Sequence, residues 1–141
     1  LPLPLPLTLT LTLSLSPEQE ALLEVERISA TDKAFAALRL DKAVVAWGEP
    51  GYGGDASAVA AELASGVVSV HGTYRAFAAI KEGGGVVTWG AEGYGGDSRA
   101  VAEELASGVV SVHNTGWAFA AASVSPPSSC CWASARSALR H

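Results

Sequence analysis

The sequence predicts a mainly β repeat protein, with a strand and a hairpin in each unit followed by one short helix. Three observations carry that prediction. Trp47-Gly48 followed by Gly51-Tyr52-Gly53-Gly54-Asp55 recurs 42 residues later as Trp89-Gly90 followed by Gly93-Tyr94-Gly95-Gly96-Asp97. Over 47–79 against 89–121, 25 of 33 positions are identical, and over 34–55 against 76–97 the count is 13 of 22. The run Ala34-Phe35-Ala36-Ala37 returns as Ala76-Phe77-Ala78-Ala79 and again as Ala118-Phe119-Ala120-Ala121. A fixed period in the range of 20–50 residues is the signature of stacked or radially repeated units.

Each unit reads locally. Val67-Val68-Ser69-Val70 is a short β-branched run and hence a strand. Residues 74–80 and 85–90 flank Lys81-Glu82-Gly83-Gly84, whose glycines supply the positive φ of a tight hairpin turn. The equivalent first turn, Arg39-Leu40-Asp41-Lys42, has lost its glycines. Gly93 to Gly96 then interrupt regular structure. Asp97 is placed to N-cap a helix over Ser98–Ser107, with Gly108 as its stop. Val101 and Leu105 face inward on that helix, and Glu103 and Glu104 face solvent. Asp55, Val59, Leu63 and Gly66 take the same parts in the earlier copy.

The ends differ in composition from the middle. Residues 1–20 form a low-complexity leader opening LPLPLPLTLTLTLSLS, expected to be disordered. Its prolines at 2, 4 and 6 forbid a membrane-spanning helix, and it lacks the charged start of a signal peptide. Tandem units occupy 21–124, at about 25–66, 67–108 and a partial 109–124. Residues 17–124 hold seven of the nine bases and all fourteen acids. Residues 125–141 carry two arginines and no acid, and are expected to be an off-pattern, disordered tail. After Ala121 the sequence offers no counterpart to Val86-Val87-Thr88-Trp89-Gly90. The net charge of −5 argues against a nucleic-acid partner, which needs a positive field.

Residues 67–90 resemble one blade of the β-propeller repeats of the regulator of chromosome condensation family. The bend is His71-Gly72-Thr73, the second strand Phe77-Ala78-Ala79-Ile80, and the signature Val86-Val87-Thr88-Trp89-Gly90. The earlier copy carries Val44-Val45-Ala46-Trp47-Gly48, and the resemblance spans about 25–122. It implies incomplete β-propeller-like blades in a compact, divergent variant, since a closed propeller takes roughly 4–8 blades. Founding members of the family are guanine-nucleotide exchange factors, and relatives occur in ubiquitin ligases and large scaffolds. The loop that exchange depends on has no matching residue here.

Candidate chemistry resolves toward structure. Gly51-x-Gly53-x-x-Ala56 has the outline of a dinucleotide-binding turn, but Asp55 sets a negative charge where a pyrophosphate would sit. Gly53-Gly54-Asp55 and Gly95-Gly96-Asp97 offer one carboxylate per 42 residues, too few oxygens for calcium. Ser69 with His71, and Ser111 with His113, repeat in step, whereas a nucleophilic triad converges from unlike elements. Trp47 and Trp89 are expected to pack between units. Trp117 replaces Arg75 in the pattern and is expected to be exposed. Cys130 and Cys131 are adjacent and unsuited to zinc or to each other. No catalytic, cofactor-binding or metal-ligating residue is therefore assigned. The expected role is a non-catalytic protein-interaction or structural scaffold, part of a larger array, with a secreted or cell-surface structural repeat as the alternative. Units that bury their faces only against neighbours are marginal in small numbers, so self-association through open edges is also expected.

Overall fold

The computed structural model describes residues 24–124, 127–132 and 139–140. The expected leader at 1–20 lies outside the described residues. The chain is mainly β, arranged as three successive antiparallel sheets. The first contains β1 (Val25–Ala30), β2 (Ala34–Arg39) and β3 (Val44–Gly48). The second contains β4 (Val67–Gly72), β5 (Ala76–Lys81) and β6 (Val86–Gly90). The third contains β7 (Val109–Asn114), β8 (Phe119–Val124) and β9 (Pro127–Trp132), with the two-residue β10 (Leu139–Arg140) beyond β9.

The sheets share one register. Phe35 pairs with Trp47, Phe77 with Trp89, and Phe119 with Trp132. A break in pairing falls at the same place in each first strand, between Val25 and Arg27, Val67 and Ser69, and Val109 and Ser111. Gly83 and Gly84 take φ of 89° and 85° in the second hairpin turn, as the glycines there predict. In the first turn the position of Gly84 falls to Lys42, which adopts φ 69° without the freedom of a glycine.

Alanine content follows from two-sided burial. Along β5, Ala76, Ala78 and Ile80 pack into a core shared with the third sheet. Phe77 and Ala79, on the alternate face, pack into a second core with Ala34, Ala36 and Leu38 of the first sheet. A strand flanked by sheets on both faces needs small residues to admit its neighbours. Adjacent sheets are also tied by backbone bonds that recur at the repeat period. Asp32 N–H donates to Tyr74 C=O (2.9 Å) and Tyr74 N–H to Gly116 C=O (2.8 Å). Val67 N–H donates to Lys42 C=O (2.9 Å), and Val109 N–H to Gly84 C=O (3.0 Å).

Two expectations need correction. The helix foreseen over Ser98–Ser107 does not form. Arg99–Val101 is a single 3₁₀ turn, and the earlier copy extends only to a 3₁₀ turn, Ser57–Val59, followed by one α-helical turn, α1 (Ala60–Leu63). Helix nucleation is costly, and the segment makes isolated turns, such as Ala102 N–H to Arg99 C=O (3.3 Å) and Leu105 N–H to Val101 C=O (3.2 Å), while the Leu105 carbonyl accepts from Val86 N–H of β6 at 2.9 Å. The inward positions hold all the same: Leu63, Val101 and Leu105 are buried. Gly66 and Gly108, at φ 72° and 77°, end both segments as expected.

The tail at 125–141 is not wholly off-pattern. Residues 127–132 pair with β8 along its length, placing Trp132 opposite Phe119. Ser129-Cys130-Cys131-Trp132 thus fills the place of Val86-Val87-Thr88-Trp89, one residue later than the period predicts. Pairing register and one buried indole suffice here, so the sequence motif is not required.

Candidate functional site

The turn after each outer strand builds the joint to the next sheet. Pro50–Tyr52 and Glu92–Tyr94 form 3₁₀ turns that end on Gly53 and Gly95, at φ 95° and 102°. Only glycine enters that region freely, and a Cβ there would lie within 2.6 Å of the Phe77 ring and 2.4 Å of the Phe119 ring. The aromatic ring of one sheet therefore rests on the bare glycine of the sheet before. Trp89 Nε1–H donates to Gly53 C=O (3.0 Å), and Trp132 Nε1–H to Gly95 C=O (2.9 Å). Within each sheet the Phe and Trp rings stack, with centroids 5.3 Å apart for Phe77–Trp89 and 5.5 Å apart for Phe119–Trp132.

These turns contain the residues that outline a dinucleotide loop, and their amides are already engaged. Gly53 N–H donates to Pro50 C=O and Gly54 N–H to Glu49 C=O. Ser57 N–H donates to Asp55 Oδ1 at 2.9 Å, and Arg99 N–H to Asp97 Oδ1 at 3.0 Å. Each carboxylate accepts from the amide two residues ahead, and each Asp stands one position before the N-cap residue of the 3₁₀ turn that forms, Ala56 or Ser98. The Ser57 amide and hydroxyl hold the Asp55 carboxyl below its ordinary range. Arg99 does the same for Asp97, gripping it with Nε and Nη2. Among the described residues, no group of three or more His, Cys, Asp and Glu side chains converges as a metal site.

The first strands carry the histidines. Ser69 Oγ lies 3.2 Å from His71 Nε2 on β4, so a hydroxyl and an imidazole are within hydrogen-bond reach. In a Ser-His-Asp triad a carboxylate orients the imidazole. The charged groups acting on His71 are instead His113 and Arg27. Ser69, His71, Ser111 and His113 line one cleft of about 450 Å³, together with Val112 and Asn114. Burial first, then His113, then Arg27, holds the His71 imidazole below its ordinary value of 6.5. A base with a depressed folded pKa takes up protons on unfolding, so stability is full above about pH 6.5 and falls as pH drops below it toward the folded value. Urea midpoints measured across that window should fall with pH in the wild type, and His71→Gln should flatten the slope; an unchanged slope would remove His71 as its source.

A third feature runs across all three sheets. Lys33 Nζ lies 5.1 Å from the Tyr52 ring centre. Arg75, one period on, is sandwiched between Tyr52 (4.7 Å) and Tyr94 (5.0 Å). Trp117, one further period on, stacks on Tyr94 with centroids 4.9 Å apart and an interplanar angle of 18°. Tyr74 meets Trp117 edge-on at 6.0 Å. The result is a ladder, Lys33–Tyr52–Arg75–Tyr94–Trp117, ending on an indole that is 60% exposed. Sequence reasoning singled out Trp117 as exposed. It missed the ladder, although positions 33, 75 and 117 against Tyr52 and Tyr94 are a signal in the repeat itself.

Trp89 packs between sheets as expected, and Trp47 stacks on Phe35 at 5.5 Å. Glu103 is exposed, while Glu104 is half-buried. Cys130 is buried in the core and Cys131, on the alternate face of β9, is half-buried; no disulfide joins them. No helix among the described residues is long and apolar enough to cross a membrane. No protein-family model matches the chain, and no curated protein matches it.

Proposed function

We propose that the chain is a non-catalytic scaffold whose units are compact, propeller-like blades of the regulator of chromosome condensation type, belonging to a larger array. The observation that carries the scaffold reading is the ladder ending at Trp117. Tyr, Trp and Arg are the residues that dominate binding energy at protein interfaces, and here they are presented as a preformed, mutually stacked surface. The blade reading is supported by the identical pairing of the three sheets and by their first strands lying side by side. Ser29 Oγ–H donates to Val70 C=O and Asn114 Nδ2–H to Gly72 C=O, each at 2.8 Å, linking those first strands. Guanine-nucleotide exchange is not part of the proposal, because no residue here corresponds to the loop it needs.

The test uses the full chain as bait and the binding constant of whatever protein it captures. Trp117→Ala should weaken that partner by about 30-fold, the effect of an interface hot spot, with the melting curve unchanged. Arg75→Ala should weaken it less, by loosening the ladder beneath. A partner indifferent to Trp117→Ala would overturn the reading, as would stoichiometric binding of NAD(P).

A further inference from the structure

The first sheet presents, uncovered, the same surface that the second and third sheets bury. Phe77 and Phe119 are 0% and 1% exposed, whereas Phe35, their equivalent, is 46% exposed. Trp89 and Trp132 donate to a glycine carbonyl of the preceding turn. Trp47 Nε1–H meets no such carbonyl among the described residues. Arg75 lies between two tyrosine rings, while Lys33, its equivalent, has one among the described residues, Tyr52. Yet the surface is already shaped. Phe35 and Trp47 stack at 5.5 Å and 25°, against 5.3 Å and 29° for the buried pair Phe77 and Trp89.

We infer that this face, formed by Lys33, Phe35 and Trp47, docks the exit turn of a further repeat unit of the same class. Its occupant is a Tyr-Gly-Gly turn with the first glycine at positive φ. The bare glycine seats the Phe35 ring, its carbonyl accepts from Trp47 Nε1–H, and its tyrosine covers the open side of Lys33. The commitment to this occupant comes from continuity with an interface built twice in the same molecule. Two nearer sources are excluded. No glycine precedes Gly48 in the sequence, so the stretch before β1 has none to offer. In a second copy, the turns at Gly53 and Gly95 are already filled by Phe77 with Trp89 and by Phe119 with Trp132. The inference rests on the array reading above and names the chemistry of its next member.

The test is the full chain with a second copy of residues 25–66 placed directly ahead of residue 25. This reproduces the 42-residue spacing, so the glycine of the added turn equivalent to Gly53 faces Trp47. Hydrogen exchange at the Trp47 indole should slow by about 10-fold or more relative to the parent chain, the effect of one new buried hydrogen bond. Changing that added glycine to alanine should abolish the slowing. Trp47→Phe, which keeps the ring and removes the donor, should lower the urea midpoint of the extended chain and leave the parent unaffected. An added unit that folds while Trp47 exchanges at the parental rate overturns the inference. So does an added unit that fails to fold, since the same sequence folds against Phe77. Concentration-dependent protection of Trp47 in the parent would assign the face to a second copy instead, and would equally overturn it. Loss of the Trp117 partner bears on the scaffold reading alone, because Trp117 lies two units away and Trp47 is read separately.

Discussion

Replacing Trp132 by alanine should cost about 3–5 kcal/mol of stability, the range for truncating a large buried aromatic. The side chain is 1% exposed, stacks on Phe119, and donates the only indole bond to Gly95 C=O among the described residues. Its loss leaves a cavity in the core between the second and third sheets and a buried carbonyl without its donor. The comparison is Ser129→Ala, an exposed position on the same strand, which should stay within about 0.5 kcal/mol. Urea titrations of both variants decide the matter. Equal, small effects would mean that β9 adds nothing to the third sheet.

Gly95→Ala should be nearly as damaging, at about 2–5 kcal/mol. Part of that is the strain of a side chain at φ 102°, and part is overpacking against the Phe119 ring. Gly93→Ala, two residues earlier, is the matched control. A Cβ there meets nothing within 4 Å and the backbone needs no positive φ, so its effect should be near zero. The contrast separates the demand of the joint from any general dislike of alanine in the turn. Thermal melts in which the two variants coincide would dissolve the argument that the glycine is the seat of the ring.

Much of this was legible in the sequence because it repeats. The strands around Val67, Phe77 and Trp89, the glycine hairpin turn, and the inward Val101 and Leu105 follow from local pattern alone. The ten-residue helix does not form although alanine, glutamate and leucine favour helix locally, because the chain at its C-terminal end is tied to the second sheet, with Val86 N–H on the Leu105 carbonyl and Val109 N–H on the Gly84 carbonyl. The closing strand of the third sheet, β9, was not foreseen for a different reason. Ser-Cys-Cys-Trp shares one side chain with Val-Val-Thr-Trp and arrives a residue late, so identity fails where backbone pairing succeeds. The ladder escaped notice because its rungs are residues of unlike chemistry, Lys33, Arg75 and Trp117, related by position rather than by type. What cannot be read from one unit is which partner its faces meet, since that depends on the unit beside it.

The indole–carbonyl joint also has a direction in time. Gly53 precedes Trp89 by 36 residues and Gly95 precedes Trp132 by 37, so the acceptor is always made before its donor. During synthesis each turn therefore emerges before the strand whose indole bonds it. The joint reads from the amino end, each sheet registering on the one that precedes it in the chain.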